Sequence, residues 1–202
     1  MSFDKLPVNW FDVAILVVLA VGVHRGRRQG MSEELMPVLK WLGIVFGCAF
    51  AYEPIGKKIY ENSVFSMLSC YVMAYFAAAL VIASLFALIK KLIGGKLVGS
   101  DVFGRGEYYL GMLAGMTRFA CMLIAALALL NARSFNASDI KAAIVVQKQN
   151  FGSDFFPTLY TVQSQAFDTS FTGPWIRKGV GFLLIKPTAQ VPQEIKRKQI
   201  DM

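Results

Sequence analysis

Residues 100–131 read SDVFGRGEYYLGMLAGMTRFACMLIAALALLN. The stretch opens as a polar, glycine-rich loop carrying Asp101 and Arg105. From Tyr108 it becomes an apolar run, and about 20 such residues span the hydrocarbon core of a bilayer as a helix. Gly111 and Gly115 lie four apart, a spacing that lets helix backbones approach closely. Arg118 is the one full charge in the run. A charge near mid-membrane costs at least about 2.5–3.5 kcal/mol, so it needs a partner, a wet cavity or a route to the surface.

Three further apolar runs lie upstream, and composition agrees: 55% of residues are hydrophobic and mean hydropathy is +0.50, values that favour a membrane class over a soluble one. The pattern predicts an all-α, polytopic bundle of about four spans, at residues 10–24, 35–52, 64–89 and 108–131. The first run is followed, not preceded, by Arg25, Arg27 and Arg28, which reads as a retained span and not a secretory signal. Ser32-Glu33-Glu34 looks like a helix start, with Pro37 in its first turn and Lys40 close enough to that end to snorkel. Gly43 and Gly47 form a second glycine pair, and residues 53–62, with Pro54 and Gly56, read as a polar hairpin. Tyr71 and Tyr75 read as interface aromatics. Both glycine pairs are expected to pack helices within the chain, with a homo-oligomer interface as the alternative.

Residues 1–135 therefore read as the membrane domain and 136–202 as an amphipathic tail, polar and mobile at its end. Helical patterns are expected at 138–149 and after Pro157, broken by Gly173-Pro174, with a short apolar patch around Trp175 and 182–185 lying on the bilayer or the bundle. The net charge of +8 is explained by basic flanks of membrane segments. Arg25, Arg27, Arg28, Lys90, Lys91, Lys96 and Arg105 fall in two loops, which the positive-inside rule places in the cytoplasm, with both termini outside. The basic residues do not gather into a nucleic-acid motif, so no nucleic acid is expected.

Chemistry-bearing patterns are missing. His24 is the single histidine, and Cys48, Cys70 and Cys121 sit within apolar runs as small buried hydrophobes. There is no phosphate loop, nucleophile elbow or paired carboxylate spacing. The expectation is a non-enzyme with no cofactor, no metal and no catalytic residue. Asp12 reads as a first-turn carboxylate favoured by the helix dipole. Arg118 either pairs with an acidic group such as Asp12 or Glu107, bonds free carbonyls, or lines a polar pathway.

Taken together, Asp12, Arg25-Gly26, Glu33 and Glu34, Asp101 with Gly104, and then Gly111, Gly115 and Arg118 resemble the colicin V production (CvpA) family of bacterial membrane proteins. Phe119 stands where that family usually carries glycine. The resemblance covers about residues 8–135. It implies a protein of the bacterial cytoplasmic membrane with about four spans, accessory to production or secretion of a peptide toxin or to envelope homeostasis. Its implied surroundings are the lipid bilayer and protein partners in secretion or envelope machinery. A small oligomeric channel or transporter using Arg118 is the alternative.

Overall fold

The computed structural model describes residues 9–97, 106–151 and 158–188. Asp101 and Gly104 lie outside the described residues, as do Lys-rich residues 195–198 of the tail.

Helix α1 (Trp10–Glu61) begins at Asn9, whose side chain takes the Trp10 N–H while Asp12 reaches back to the Asn9 N–H in a capping box. The element holds 52 residues, but Gly30 breaks it with φ 75° and ψ 170°, a conformation that only glycine adopts at little cost. Straight, it would separate Phe11 from Tyr52 by about 60 Å. Instead both side chains belong to one buried cluster, so the chain folds back at Gly30 into an N-terminal arm (10–29) and a C-terminal arm (31–61).

The two arms correct several expectations. The basic segment 25–29 is helix and not loop, because Gly26 packs against Gly111 and Gly115 and holds that turn in place. The C-terminal arm starts before Ser32, so Pro37 lies inside it and not in its first turn. Residues 53–61 are also helical despite Pro54. Gly56 fits against Tyr71 there, and Glu53 pairs with Lys57 one turn on, at 2.9 Å.

Helix α2 (Met67–Leu97) follows a short turn, with Ser66 Oγ accepting the Ser69 N–H. Gly47 faces Ile82 and Gly43 faces Phe86, so α2 runs antiparallel to the C-terminal arm. Tyr71 and Tyr75 point inward, both 4% exposed, and Tyr71 meets the Tyr52 ring edge-on at 5.5 Å. Helix α3 (Glu107–Asn131) packs against α1 and closes the bundle. Cys48, Cys70 and Cys121 are all buried, as expected.

Among the described residues, three helices are long and apolar enough to cross a membrane: Trp10–Glu61, Met67–Leu92 and Glu107–Asn131. Large side chains such as Leu16, Phe50, Leu80, Val81 and Leu92 cover their outer faces, the arrangement a helix needs toward lipid. No strand forms among the described residues beyond a single bridge between Arg133 and Thr188.

After α3 come α4 (Ala137–Phe151), α5 (Leu159–Ser164) continued by a π-helical turn (Gln165–Thr169), and α6 (Gly173–Val180) with a 3₁₀ turn (Gly181–Leu183). Gly173-Pro174 starts α6 as well as ending the preceding turn, since proline is tolerated at the first helical positions. Phe167 and Ile185, 1% and 0% exposed, join the cluster of Phe11, Tyr52 and Ala128. Residues 158–188 thus complete the core of the bundle and do not merely lie on it. Trp175 and Phe182 remain exposed on the outer side of this segment.

Candidate functional site

Two close contacts and one polar node hold the elements together. The first contact is a glycine ladder. Gly22 and Gly26 of the N-terminal arm and Gly30 at the break repeat every fourth residue and meet Gly111 and Gly115 of α3 in antiparallel register. A Cβ at Gly22 would lie 2.9 Å from the Gly115 carbonyl oxygen, and one at Gly26 would collide with that of Gly111. The obstacles are backbone atoms, which cannot swing aside. Gly43 and Gly47 differ, since they face only side chains of α2. Both glycine pairs are used within the chain. Gly22 also provides the space for Phe119, whose Cβ would be 3.0 Å from an added Cβ.

The second contact is an ion pair. Arg118 Nη1 donates to both oxygens of Glu34, at 3.0 and 3.1 Å. The Glu34 side chain is 1% exposed and that of Arg118 16%. Neither Asp12 nor Glu107, the acids expected, is the partner. Glu107 instead accepts the Ser32 N–H at 3.3 Å, satisfying a free donor at the start of the C-terminal arm. Glu33 points outward and is exposed, and Arg25 is exposed and bonds Gln29 one turn on. The fold at Gly30 is what brings Glu34 to Arg118, because it turns the arm back along α3. Arg118 Nε is buried without a hydrogen-bond partner in the structure.

The node is Asp12. Besides the Asn9 N–H, it accepts the N–H of Phe171 at 3.0 Å, the N–H of Thr172 at 3.0 Å and the Thr172 hydroxyl at 2.6 Å. The expected dipole role understates it, since Asp12 fixes the start of α6 to the start of α1. Nearby, Gln163 donates to the carbonyls of Leu130 and Arg133 at the end of α3, and Asn131 donates to the Ile185 carbonyl. Lys186 pairs with Glu53 at 2.8 Å, and this hydrogen bond raises the Lys186 ammonium above the usual lysine value. The lysine side of the pair therefore stays charged at neutral pH and is lost as pH climbs through the raised value, while protonation of Glu53 breaks the pair in acid.

Hydrogen bonds to a charged acceptor contribute about 1.5–3 kcal/mol each. Asp12→Ala is therefore expected to free residues 158–188 while leaving α1–α3 assembled. Hydrogen exchange should accelerate in 158–188 by at least about tenfold and stay slow in α3. Equal acceleration in both would show that Asp12 holds the whole bundle instead.

Among the described residues, no group of three or more His, Cys, Asp or Glu side chains comes together. The buried charge is neutralised by its pair, and the helices around it meet through backbone. With its three long apolar helices, the fold is that of a multi-pass helical membrane protein. Over residues 11–158 the chain matches the model of the family described as Colicin V production protein, and it belongs to that family. No curated protein and no solved structure matches it. The family match runs past residue 135, into the segment that leads to α5.

Proposed function

We propose that the protein is a non-enzymatic accessory subunit of the bacterial cytoplasmic membrane, assisting production or secretion of a colicin V-like toxin or maintenance of the envelope. Family membership carries this reading. The pairing of Arg118 with Glu34 supports it, because a fully buried carboxylate partner favours a structural role for the arginine. The channel alternative has no such observation in its favour.

In this reading each arm of α1 crosses separately, giving four crossings. A straight 52-residue helix would be about 78 Å long, far more than the roughly 30 Å of hydrocarbon to be spanned. The ends nearest Gly30 carry Arg25, Arg27, Arg28, Lys90 and Lys91 and face the cytoplasm, so both termini lie outside. A reporter fused after Met202 should be active outside the cytoplasm; activity confined to the cytoplasm reverses the orientation. Purification in several mild detergents should recover a partner in fixed stoichiometry. Recovery of the chain alone in all of them counts against an accessory role.

A further inference from the structure

Between the C-terminal arm of α1 and helix α2 lies a hollow of about 170 Å³, lined by Pro37, Lys40, Ala83, Phe86, Ala87 and Lys90. Two lysines line it, and neither has a carboxylate within ion-pair distance among the described residues. Like charges brought together without a counter-charge repel, so the hollow favours an anion. Its position says which kind. The antiparallel register that sets Gly43 against Phe86 brings Lys40 and Lys90 to the same end of the helix pair. Beyond them toward the middle, residues 41–52 and 64–89 carry no charge. The cations therefore stand at the edge of the apolar belt, and the floor of the hollow is apolar. Arg25, Arg27 and Arg28 lie toward the same end of the bundle, near Gly30, and add to the positive field.

We propose that Lys40 and Lys90 bind the phosphate of an anionic phospholipid, whose first chain carbons rest on Ala83, Phe86 and Ala87. Basic pockets between membrane helices recognise anionic headgroups in this way. The hollow takes the phosphate and the start of one chain, and the exposed apolar surface of α2 accompanies the remainder. This site is independent of the accessory role proposed above.

The test is native mass spectrometry of the detergent-solubilised full chain, titrated with phosphatidylglycerol, phosphatidylcholine or inorganic phosphate. Phosphatidylglycerol should bind preferentially. Lys40→Gln and Lys90→Gln should each weaken it by about fivefold, and the pair by about 25-fold. Removing the same amount of charge elsewhere, with Lys58→Gln and Lys178→Gln, should leave binding unchanged. Ala87→Trp should block the hollow with its charges intact, so the proposal remains testable if the lysine double variant does not fold. Equal binding of phosphatidylcholine, equal loss in the remote pair, or no loss in Ala87→Trp overturns the proposal. Displacement of phosphatidylglycerol by inorganic phosphate at equal concentration also overturns it, since that marks a free-anion site.

Discussion

Gly26→Ala is expected to lower the thermal midpoint of the detergent-solubilised protein by about 2–12 °C, taking about 1–3 kcal/mol for an overpacked contact. The reason is geometric. The added methyl meets the Gly111 carbonyl and the Gly115 Cα of the facing helix, so relief requires two backbones to separate. Separation would also pull Gly22 from Phe119 and shift Gly30 against Glu107, spreading the loss along the crossing. Gly26→Leu should leave little folded protein. Gly179→Ala and Gly181→Ala are the matched controls, because nothing lies within 4 Å of a Cβ at either position. They should move the midpoint by no more than ordinary surface substitutions do. A midpoint for Gly26→Ala equal to theirs would mean that the crossing is looser than described.

The second large effect concerns Glu34 and Arg118. Removing one member leaves the other charged, buried and alone, a change that costs about 3–5 kcal/mol in comparable buried pairs. Arg118→Met and Glu34→Met should each sharply reduce the folded fraction. Replacing both should restore it, since well-packed apolar pairs are often as stable as the ion pair they replace. A double-mutant cycle on thermal stability measures this coupling. The double variant also separates structure from function. If it folds and still supports the cellular role, the pair is a pin. If it folds and the role is lost, the charge itself takes part, and the proposed pin is wrong.

The contrast between α3 and α1 shows what could be read from residues alone. The expected last span, 108–131, differs from α3 by one residue, because an uncharged run bounded by polar loops leaves a helix few alternatives. The need of Arg118 for a partner was equally legible, since burial makes it unavoidable. Its identity was not. Glu34 lies 84 positions away, and only the reversal at Gly30 and the register of the returning arm bring it into reach. Gly30 itself was concealed in a basic stretch that read as loop, although the repeat of Gly22, Gly26 and Gly30 at intervals of four was present to be matched with Gly111 and Gly115. Helix through 25–29 and 53–61 was missed for a related reason. Hydropathy marks where a helix is greasy, and tertiary contacts at Gly26 and Gly56 decide how far it continues. The runs around Phe167 and Ile185 are too short to span, so their place in the core emerges only when the spans they complete are assembled.

The position of that last segment has a consequence for biogenesis. Asp12 leaves the ribosome 159 and 160 residues ahead of the Phe171 and Thr172 donors that engage it. The start of α1 must therefore wait, unfastened, until residues 158–188 have been made and have arrived beside it. Assembly closes as a ring in time, with a later-made part sealing an earlier one. Arrival of residues 158–188, and not insertion of any one helix, is the event that fastens the start of α1 to α6.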